Sequence, residues 1–273
     1  MVSLEAPAQR VICLYGAFSE LFVAMGLEDR LVARTLADED LPVLKGLPSV
    51  GTHMRPSLEL IIGLRPDLVI QLAGRKESAQ TVDALRRHGL NVAVFNPTSF
   101  TELFEAILAM GRMAGAEEQA QSLVVNLSGR LAAVAESLEG PNRSPDSRPR
   151  VFFEVRSPSL LAAGRGGIVN DIILRAGGEN AVQSGNKLVR LGEEGLIGLD
   201  PDVYVVQQGP MNRNPLPPKD RPLYSQLRAV AQGRVLVVDE GLFSRSGPRA
   251  VEAVERLASF LHPERICNNK DLQ

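Results

Sequence analysis

An internal repeat constrains the fold of this chain more than any other feature of its sequence. Residues 59–70 (ELIIGLRPDLVI) align with residues 194–205 (EGLIGLDPDVYV) at a constant separation of 135 residues. Each copy predicts a short helix, a Pro-Asp turn and a buried strand, because proline ends a helix and an unbroken apolar run is typical of a parallel strand covered on both faces. The repeat therefore predicts equivalent structural units in the two halves of the chain.

The segments around each copy continue this alternation of strands and helices. The first half predicts strand 11–14, helix 18–25, strand 68–71, helix 79–88, strand 92–95 and helix 100–113. The second half predicts strand 151–155, helix 169–176, strand 203–206, helix 223–230, strand 235–238 and helix 250–261. Such alternation is typical of parallel sheets, in which ligands bind at the loops after the carboxyl ends of the strands. We therefore predict an α/β protein with two Rossmann-like lobes.

A single long helix is predicted between the halves. Apolar residues between Ala120 and Leu138 recur at intervals of three and four, which marks one face of a helix. At 1.5 Å per residue this helix would be about 33 Å long, enough to connect two lobes. The periodicity alone leaves open a long surface helix within one large domain. The predicted division is an N-terminal lobe of residues 1–116, a connecting helix of residues 117–140 and a C-terminal lobe of residues 141–273, with a ligand cleft between the lobes.

The charge balance bears on the class of partner. The chain of 273 residues has 30 basic and 32 acidic residues and a net charge of -2. Without a long-range positive field, neither nucleic acid nor an acidic membrane surface is an expected partner. No stretch approaches the roughly 18 consecutive apolar residues that span a bilayer. Residues 1–9 lack the features of a signal peptide, which taken literally indicates the cytosol; an exported chain whose signal peptide had been removed would begin in the same way.

Cysteine and histidine usage limits the metal sites that the chain can build. Cys13 lies in an apolar run and Cys267 in a polar tail, so we expect unpaired thiols. The three histidines, His53, His88 and His262, are widely separated in the sequence. This spacing argues against a multi-histidine cage that would bind a bare zinc or manganese ion.

Several short motifs resemble a known family when they are taken in order. They are Val50-Gly51 ahead of Pro56-Ser57-Leu58-Glu59, the segment 65–70, Gly177-Gly178-Glu179-Asn180 after a helix, and the segment 243–249 before the last helix. With the helix between the halves, they make the chain similar to class III substrate-binding proteins of ABC importers, which include cobalamin-, ferric siderophore- and haem-binding members. The resemblance extends from Arg10 to about Glu264.

The resemblance implies a function and a location. It implies an extracytoplasmic or periplasmic monomer, not an enzyme, that delivers a metal chelate to the permease subunits of the transporter. The chelate would be an iron siderophore, haem or a corrinoid, carried as ligand with no resident cofactor. Cobalamin-binding members place tryptophans around the corrin, and this chain has none. The sequence therefore leaves the identity of the chelate open.

Two glutamates occupy equivalent positions in the repeat. The resemblance implies that Glu59 and Glu194, one in each lobe, dock onto arginines of the membrane subunits. Charges at a rim orient a partner more than they add affinity. The alternative is that each acidic residue complements the dipole of its helix, an effect of about 0.3–1 kcal/mol.

Ligand candidates are the residues in the loops that follow the predicted strands. They are Tyr15, Gly16, His53, Met54, Arg55, Gly74 and Arg75 in the first half, and Arg156, Arg165, Gln208, Met211, Phe243 and Arg245 in the second. Several arginines suit a ligand with carboxylate, catecholate or hydroxamate oxygens, although a single arginine is more often a solvated surface charge. His53 could coordinate a haem iron or corrinoid cobalt, or merely form a hydrogen bond within its loop.

Two other functions compete with this interpretation. A cytosolic nucleotide-dependent enzyme would use a glycine-rich loop, but the cluster at residues 164–167 (GRGG) lacks the G-x-G-x-x-G order. A binding protein for a free metal ion would need several histidines and carboxylates in its site, and only His53 has a suitable position in the sequence. Both alternatives are therefore less favoured than a chelate-binding protein.

Overall fold

The protein divides into two compact units. The computed structural model describes residues 4–74, 76–139 and 148–266. Unit 1 comprises Met1–Pro97 and Thr101–Asn126, and unit 2 comprises Thr98–Phe100 and Leu127–Gln273. Each unit has its own sheet and its own buried core. The α/β fold with two lobes that the repeat predicts is therefore confirmed.

The first part of the chain forms a four-stranded parallel sheet. Its elements are β1 (Val11–Cys13), α1 (Gly16–Ala24), β2 (Leu31–Ala33), β3 (Gly51–Thr52), β4 (Arg55–Pro56), α2 (Leu58–Gly63), β5 (Leu68–Leu72), α3 (Lys76–Arg87), β6 (Val92–Phe95), α4 (Phe100–Ala114) and α5 (Glu117–Leu138). The strand order is β2-β1-β5-β6, with every pair parallel. β3 and β4 form a separate antiparallel pair. The apolar runs of β1 and β5 are fully buried, as is expected for central parallel strands.

Unit 2 contains a six-stranded mixed sheet. Its elements are β7 (Arg150–Arg156), β8 (Leu161–Ala163), α6 (Ile168–Arg175), β9 (Glu179–Asn180), β10 (Leu188–Arg190), α7 (Glu193–Leu199), β11 (Val203–Gln208), α8 (Arg228–Ala231), β12 (Val235–Asp239), α9 (Glu240–Phe243), α10 (Ala250–Leu261) and α11 (Pro263–Ile266). The strand order is β10-β8-β7-β11-β12, and β9 pairs with the start of β7. β7, β11 and β12 are parallel, whereas β8 pairs antiparallel with both of its neighbours, β7 and β10.

The repeat is also visible in the hydrogen bonds. In unit 1 the Asp67 carboxylate accepts a hydrogen bond from the backbone N–H of Arg10 at 2.9 Å, and the Asp67 N–H donates to the Arg10 carbonyl at 2.8 Å. In unit 2 the same two bonds join Asp202 and Arg150, at 2.8 and 2.9 Å. Each pair fixes the amino end of one central strand against the amino end of its neighbour. The two units therefore share this frame in the same register.

The predicted connecting helix is α5, a helix of 22 residues. The boundary between the units lies within this helix, after Asn126, and residues 98–100 group with unit 2. The sequence had predicted a separate connecting segment with boundaries at residues 116 and 140. Residues 140–147, which come after α5, lie outside the described residues.

One predicted helix is wrong. Residues 223–230 form a single 3-10 turn at Tyr224–Gln226 and then the four-residue helix α8. Leu223 has a positive φ of 66°, and Leu227 is extended with a ψ of 132°. Because Leu227 leaves the helical region between the two pieces, the hydrogen-bond ladder of a continuous helix is interrupted.

Candidate functional site

Some candidate residues of unit 1 follow the parallel strands β1 and β5, and the others lie in the antiparallel β3–β4 pair. Tyr15 follows β1 and immediately precedes α1. The centroid of its ring lies 5.2 Å from that of Phe18 and 6.1 Å from that of His53, and both pairs meet edge to face. Aromatic pairs favour this geometry, because the positive ring edge meets the negative ring face. Tyr15 and His53, which are 38 positions apart in the sequence, therefore form one aromatic contact.

His53 and Met54 form the turn between β3 and β4. The side chain of Gln71, buried in β5, donates a hydrogen bond to the His53 carbonyl at 3.2 Å. The turn is therefore fixed to a strand of the main sheet through a buried amide. His53 and Met54 are half-buried, and Arg55 is exposed in β4.

Two glycines in unit 1 have structural reasons for their presence. Gly74 follows β5 with a φ of +111°, a conformation that side chains disfavour. Gly16 is the first residue of α1, and a Cβ atom there would lie 3.2 Å from the Asp38 carboxylate. Both glycines therefore shape the backbone around the candidate site. Arg75 lies outside the described residues.

A buried carboxylate lies beside the start of α1. Asp38 is 0% exposed, and its Oδ2 accepts hydrogen bonds from the N–H of Thr35 at 2.6 Å and from the hydroxyl of Thr35 at 2.8 Å. Burial, and then the charge of Asp38, raises the pKa of the Cys13 thiol, so this free cysteine stays protonated. Unit 1 therefore combines aromatic residues with a buried negative charge.

The candidate residues of unit 2 include a guanidinium with unused hydrogen-bonding capacity. Arg156 is the last residue of β7, and it is half-buried. Its Nε atom is buried without a hydrogen-bond partner in the described part of the chain. Arg165 is exposed and donates to the side chain of Gln183 at 3.2 Å. Because Arg165 follows the antiparallel strand β8, the rule for parallel strands does not group it with Arg156.

The loop after β11 is held by a glutamate at the start of α9, directly after β12. Gln208 is the exposed last residue of β11. The backbone N–H of Met211 donates to Oε2 of Glu240 at 2.7 Å. A Cβ atom on Gly209 would lie 2.4 Å from the Cβ atom of Glu240, so only glycine fits at this contact. Since β11 and β12 are parallel neighbours, their two following loops lie together.

One ligand candidate belongs to the core. Phe243 is 1% exposed, and the centroid of its ring lies 6.2 Å from that of Phe153 on β7. The prediction that its ring contacts ligand is not supported by this burial, because the side chain has no open face. Arg245, two residues later, is half-buried and follows α9. Arg156 and Arg245 therefore follow parallel strands of one sheet.

Sequence reasoning missed a fully buried charged group of unit 2. Glu154 is 0% exposed in the middle of β7, where it forms an ion pair with Arg221. A charged residue within the apolar strand VFFEVR was the available signal. Because Arg221 follows Glu154 by 67 residues, the partner could not be identified from local sequence.

The two repeat glutamates have equivalent positions. Glu59 lies in the first turn of α2, and Glu194 lies in the first turn of α7. Both are exposed. In the described ranges no group of three or more His, Cys, Asp or Glu side chains could hold a metal ion. Likewise, none of the described helices combines the length and apolar character needed to cross a membrane.

Comparison with known proteins identifies relatives over almost the whole chain. A model of the periplasmic binding protein family matches residues 11–242. An uncharacterized ABC transporter substrate-binding lipoprotein of Bacillus subtilis, YvrC, is 29% identical over 266 residues, covering 96% of this chain and 83% of that protein. A cobalamin-binding protein of Halobacterium salinarum is 27% identical over 270 residues, covering 96% and 71% of the two chains.

Solved structures give the same result for the fold. A periplasmic heme-binding protein of Pseudomonas aeruginosa superimposes with a TM-score of 0.80 at 26% identity, covering 94% of each chain. The vitamin B12-binding protein BtuF of Vibrio cholerae superimposes with a TM-score of 0.79 at 22% identity, covering 94% of this chain and 98% of the other. Because BtuF is only 22% identical to this chain, its similarity concerns the fold alone.

Proposed function

The chain belongs to the periplasmic binding protein family, as its motifs had predicted, and on this premise we propose that it carries a metal chelate to an ABC importer. It is the extracytoplasmic substrate-binding component, and it delivers its ligand to the membrane permease. It acts by binding and has no catalytic role of its own. The match over residues 11–242 is the observation that carries this function.

The proposed ligand is a chelate with anionic oxygens, in the class of haem, corrinoids and iron siderophores. Two relatives are named for binding cobalamin or heme, so the family accommodates large metal chelates. The Nε atom of the half-buried Arg156 has no hydrogen-bond partner in the described residues. A planar guanidinium can bind a carboxylate or hydroxamate through two parallel hydrogen bonds. A ligand oxygen would supply the missing partner and would remove the cost of leaving Nε unsatisfied.

Unit 1 has an aromatic surface of its own that suits the same class of ligand. Tyr15 and His53 are in edge-to-face contact, and the Gln71 amide fixes the His53 turn. A flat macrocycle packs well on such rings, and a neutral imidazole can complete the coordination of a haem iron. This assignment distinguishes His53 from Arg156, because the first would recognise the metal or the ring and the second an anionic group.

A ligand screen tests the proposal. The protein would be titrated with haemin, cyanocobalamin, cobinamide and several ferric siderophores, with thermal unfolding and visible absorbance as readouts. A ligand at 100 times its dissociation constant stabilises the folded state by about 2.7 kcal/mol, which is a clear thermal shift. A shift with one chelate class is the expected result. Stabilisation by bare zinc, manganese or a nucleotide, with none by any chelate, would contradict the proposal.

Arg156→Ala then tests the anionic contact. We expect about ten- to hundredfold weaker binding of the chelate, because a charged hydrogen bond contributes about 1.5–3 kcal/mol. Arg256→Ala is the matched control, since Arg256 is an exposed arginine of α10 that pairs with Glu252 in the next helical turn. Equal affinity in both variants would remove Arg156 from the site.

The proposed docking contacts are Glu59 and Glu194 of a monomeric protein. Both glutamates are exposed at equivalent positions of the repeat, which suits two equivalent sites on the permease subunits. Glu59→Lys combined with Glu194→Lys should abolish stimulation of the transporter's ATPase while ligand affinity stays unchanged. A double variant that still stimulates the transporter would contradict this assignment.

A further inference from the structure

A buried carboxylate lies beneath the candidate loops of unit 2. Glu154 is 0% exposed in β7, and its neighbours Phe152, Phe153 and Val155 are buried with it. A carboxylate in such surroundings is strongly unfavourable unless it is paired and its oxygens accept hydrogen bonds. Glu154 can therefore remain buried only if other groups neutralise its charge and donate hydrogen bonds to its oxygens.

Four hydrogen bonds satisfy this carboxylate. Oε2 accepts from the Tyr204 hydroxyl at 2.6 Å and from Nη1 of Arg221. Oε1 accepts from Nη2 of Arg221 at 3.0 Å and from the side-chain amide of Asn212 at 3.3 Å. Arg221 thus binds both oxygens with its two terminal nitrogens, the strongest geometry available to this pair of groups. Burial, and then the Glu154 charge, raises the pKa of Tyr204, so its hydroxyl remains a donor.

The donors connect Glu154 to the loops that follow two strands. Asn212 lies in the turn after β11, where it exchanges backbone hydrogen bonds with Gly209 at 2.9 and 3.2 Å. Its side-chain oxygen accepts from the N–H of Ser157, directly after β7, at 3.2 Å. Asn212 thus joins the loop that follows Arg156 to the turn that contains Met211. Both loops are therefore hydrogen-bonded to the residue whose side-chain amide donates to Glu154.

A third loop joins the same network through Gln207. The Gln207 side chain is buried, and it donates to the Val155 carbonyl at 3.5 Å. Its side-chain oxygen accepts from the hydroxyl of Ser244, which lies between α9 and Arg245. Asn212 also donates to the Gln207 carbonyl at 2.8 Å. The loops after β7, β11 and β12 therefore share one polar network, and none of its members needs to contact ligand.

Stability alone does not account for this network. A buried ion pair can often be replaced by apolar side chains of similar volume without loss of stability. The molecule contains such an alternative, because the strand register of unit 1 places Leu14 where unit 2 has Glu154, and Val69 where unit 2 has Tyr204. Leu14 and Val69 are both 0% exposed. The same strand arrangement thus folds around an apolar pair.

We infer that Glu154 is a positioning residue, which holds the ligand loops of unit 2 in their binding arrangement through Arg221 and Asn212. The inference rests on the proposed function, since it assigns those loops to ligand binding. A network with fixed geometry excludes alternative loop arrangements that an apolar core would allow. The apparent affinity then depends on the fraction of molecules whose loops are in that arrangement.

The test replaces the network by apolar groups in the full chain, as Glu154→Met combined with Arg221→Met and with Tyr204→Phe, which removes the hydroxyl that would lose its acceptor. We expect a thermal midpoint equal to or above that of the unchanged protein. Amide hydrogen exchange should become faster at residues 157–160 and 209–217. The chelate that the screen identifies should bind about tenfold more weakly, as it would if the loops were correctly arranged in about one molecule in ten. The loss should appear mainly in a slower apparent association rate, because only the molecules with correctly arranged loops can bind.

The matched control is Arg130→Met combined with Glu255→Met. This ion pair joins α5 and α10 within unit 2, with Nη2 of Arg130 2.6 Å from Oε2 of Glu255. Both side chains are more than one-third exposed. Removing the pair should therefore change neither the amide hydrogen exchange of the loops nor the affinity for the chelate. If the apolar replacements in the network prevent folding, Asn212→Ala cuts the link to both loops and leaves the ion pair of Glu154 intact. The same changes in exchange and affinity are expected from it.

A stable variant with unchanged exchange and unchanged affinity would overturn the inference. So would a folded Asn212→Ala variant with the exchange and affinity of the unchanged protein. If no chelate binds the unchanged protein, the proposed function fails, while the exchange measurement still decides whether Glu154 orders these loops. Faster exchange combined with unchanged affinity would show an ordering role without a role in binding, and would also overturn the inference.

Discussion

Units 1 and 2 share their frame at the amino ends of the central strands and differ at the carboxyl ends. Asp67 with Arg10, and Asp202 with Arg150, form the same pair of hydrogen bonds. Four residues after Arg10 and Arg150, unit 1 buries Leu14 where unit 2 buries the charged Glu154. The frame is needed by any copy of this unit, whereas the carboxyl ends carry the candidate loops and are free to diverge.

The divergence gives the two units different chemistry. Unit 1 combines the Tyr15 and His53 rings with a buried Asp38. Unit 2 places Arg156 and Arg245 after parallel strands and supports them with a buried network. One unit thus suits a ring or a metal, and the other suits an anionic group.

The largest expected effect comes from exchanging the two buried residues. Glu154→Leu leaves the Arg221 guanidinium buried without its partner, which should lower the free energy of unfolding by about 3–5 kcal/mol. Leu14→Glu buries a carboxylate where the surroundings are apolar, and a loss of similar size is expected. Unfolding in guanidinium chloride measures the free energy of unfolding of both variants. If either exchange costs less than about 1 kcal/mol, the two carboxyl ends are more alike than the contacts indicate.

Alkaline pH should act on unit 2 through Tyr204. Burial, and then Glu154, raises its pKa above that of an unfolded tyrosine, which is about 10. The protonated hydroxyl therefore contributes stability that is fully present below about pH 10 and is lost as the pH rises toward the folded-state pKa. Tyr204→Phe should lose about 1–3 kcal/mol at pH 7 and should show a shallower decline above pH 10. Urea unfolding between pH 7 and pH 11 measures this difference.

Some alkaline decline should remain in the variant, because burial also raises the pKa of Tyr224. Parallel curves for the two proteins would mean that the Tyr204 hydroxyl does not favour its protonated form in the folded state. In that case the donor to Glu154 would be less essential than its 2.6 Å hydrogen bond indicates.

Removing the aspartate of the shared frame should lower the free energy of unfolding by a similar amount in the two units. Asp67→Ala leaves the backbone N–H groups of the exposed Gln9 and Arg10 without their acceptor, Asp202→Ala leaves that of Arg150, and each substitution should cost about 1–2 kcal/mol. Asp202 also forms a half-exposed ion pair with Arg228 at 3.0 Å, which should add little. Thermal unfolding of the two variants compares them directly. A much larger loss for Asp202→Ala would show that the ion pair, and not the frame, dominates in unit 2.

The sequence predicted the shared frame better than the divergent ends. The repeat and its apolar strands are local patterns, so the central strands and the helix α5 were predicted correctly. The Glu154 network was not, because Arg221 comes from a loop 67 residues away. Phe243 was assigned to ligand because a motif cannot show whether a ring faces the core. The helix predicted at 223–230 failed because backbone conformation at Leu223 and Leu227 overrides local propensity.

The smallest expected effect concerns the turn between each repeat helix and its strand. Arg65 and Asp200 are equivalent positions before a proline, and both have a positive φ, of 47° and 36°. A side chain in this left-handed conformation costs about 1–2 kcal/mol, and glycine avoids that cost while losing more entropy on folding. Arg65→Gly should therefore raise the free energy of unfolding by up to about 1 kcal/mol.

Asp200→Gly should give a smaller gain or a loss. The Asp200 carboxylate accepts a hydrogen bond from the N–H of Arg228 at 2.9 Å, so the substitution also removes the acceptor at the start of α8. That bond is worth about 1 kcal/mol, enough to offset the relief of strain. Chemical unfolding of both variants should therefore rank Arg65→Gly above Asp200→Gly. Equal gains would mean that the Asp200 side chain adds nothing to its turn, and that unit 2 differs from unit 1 only at the carboxyl ends of its strands.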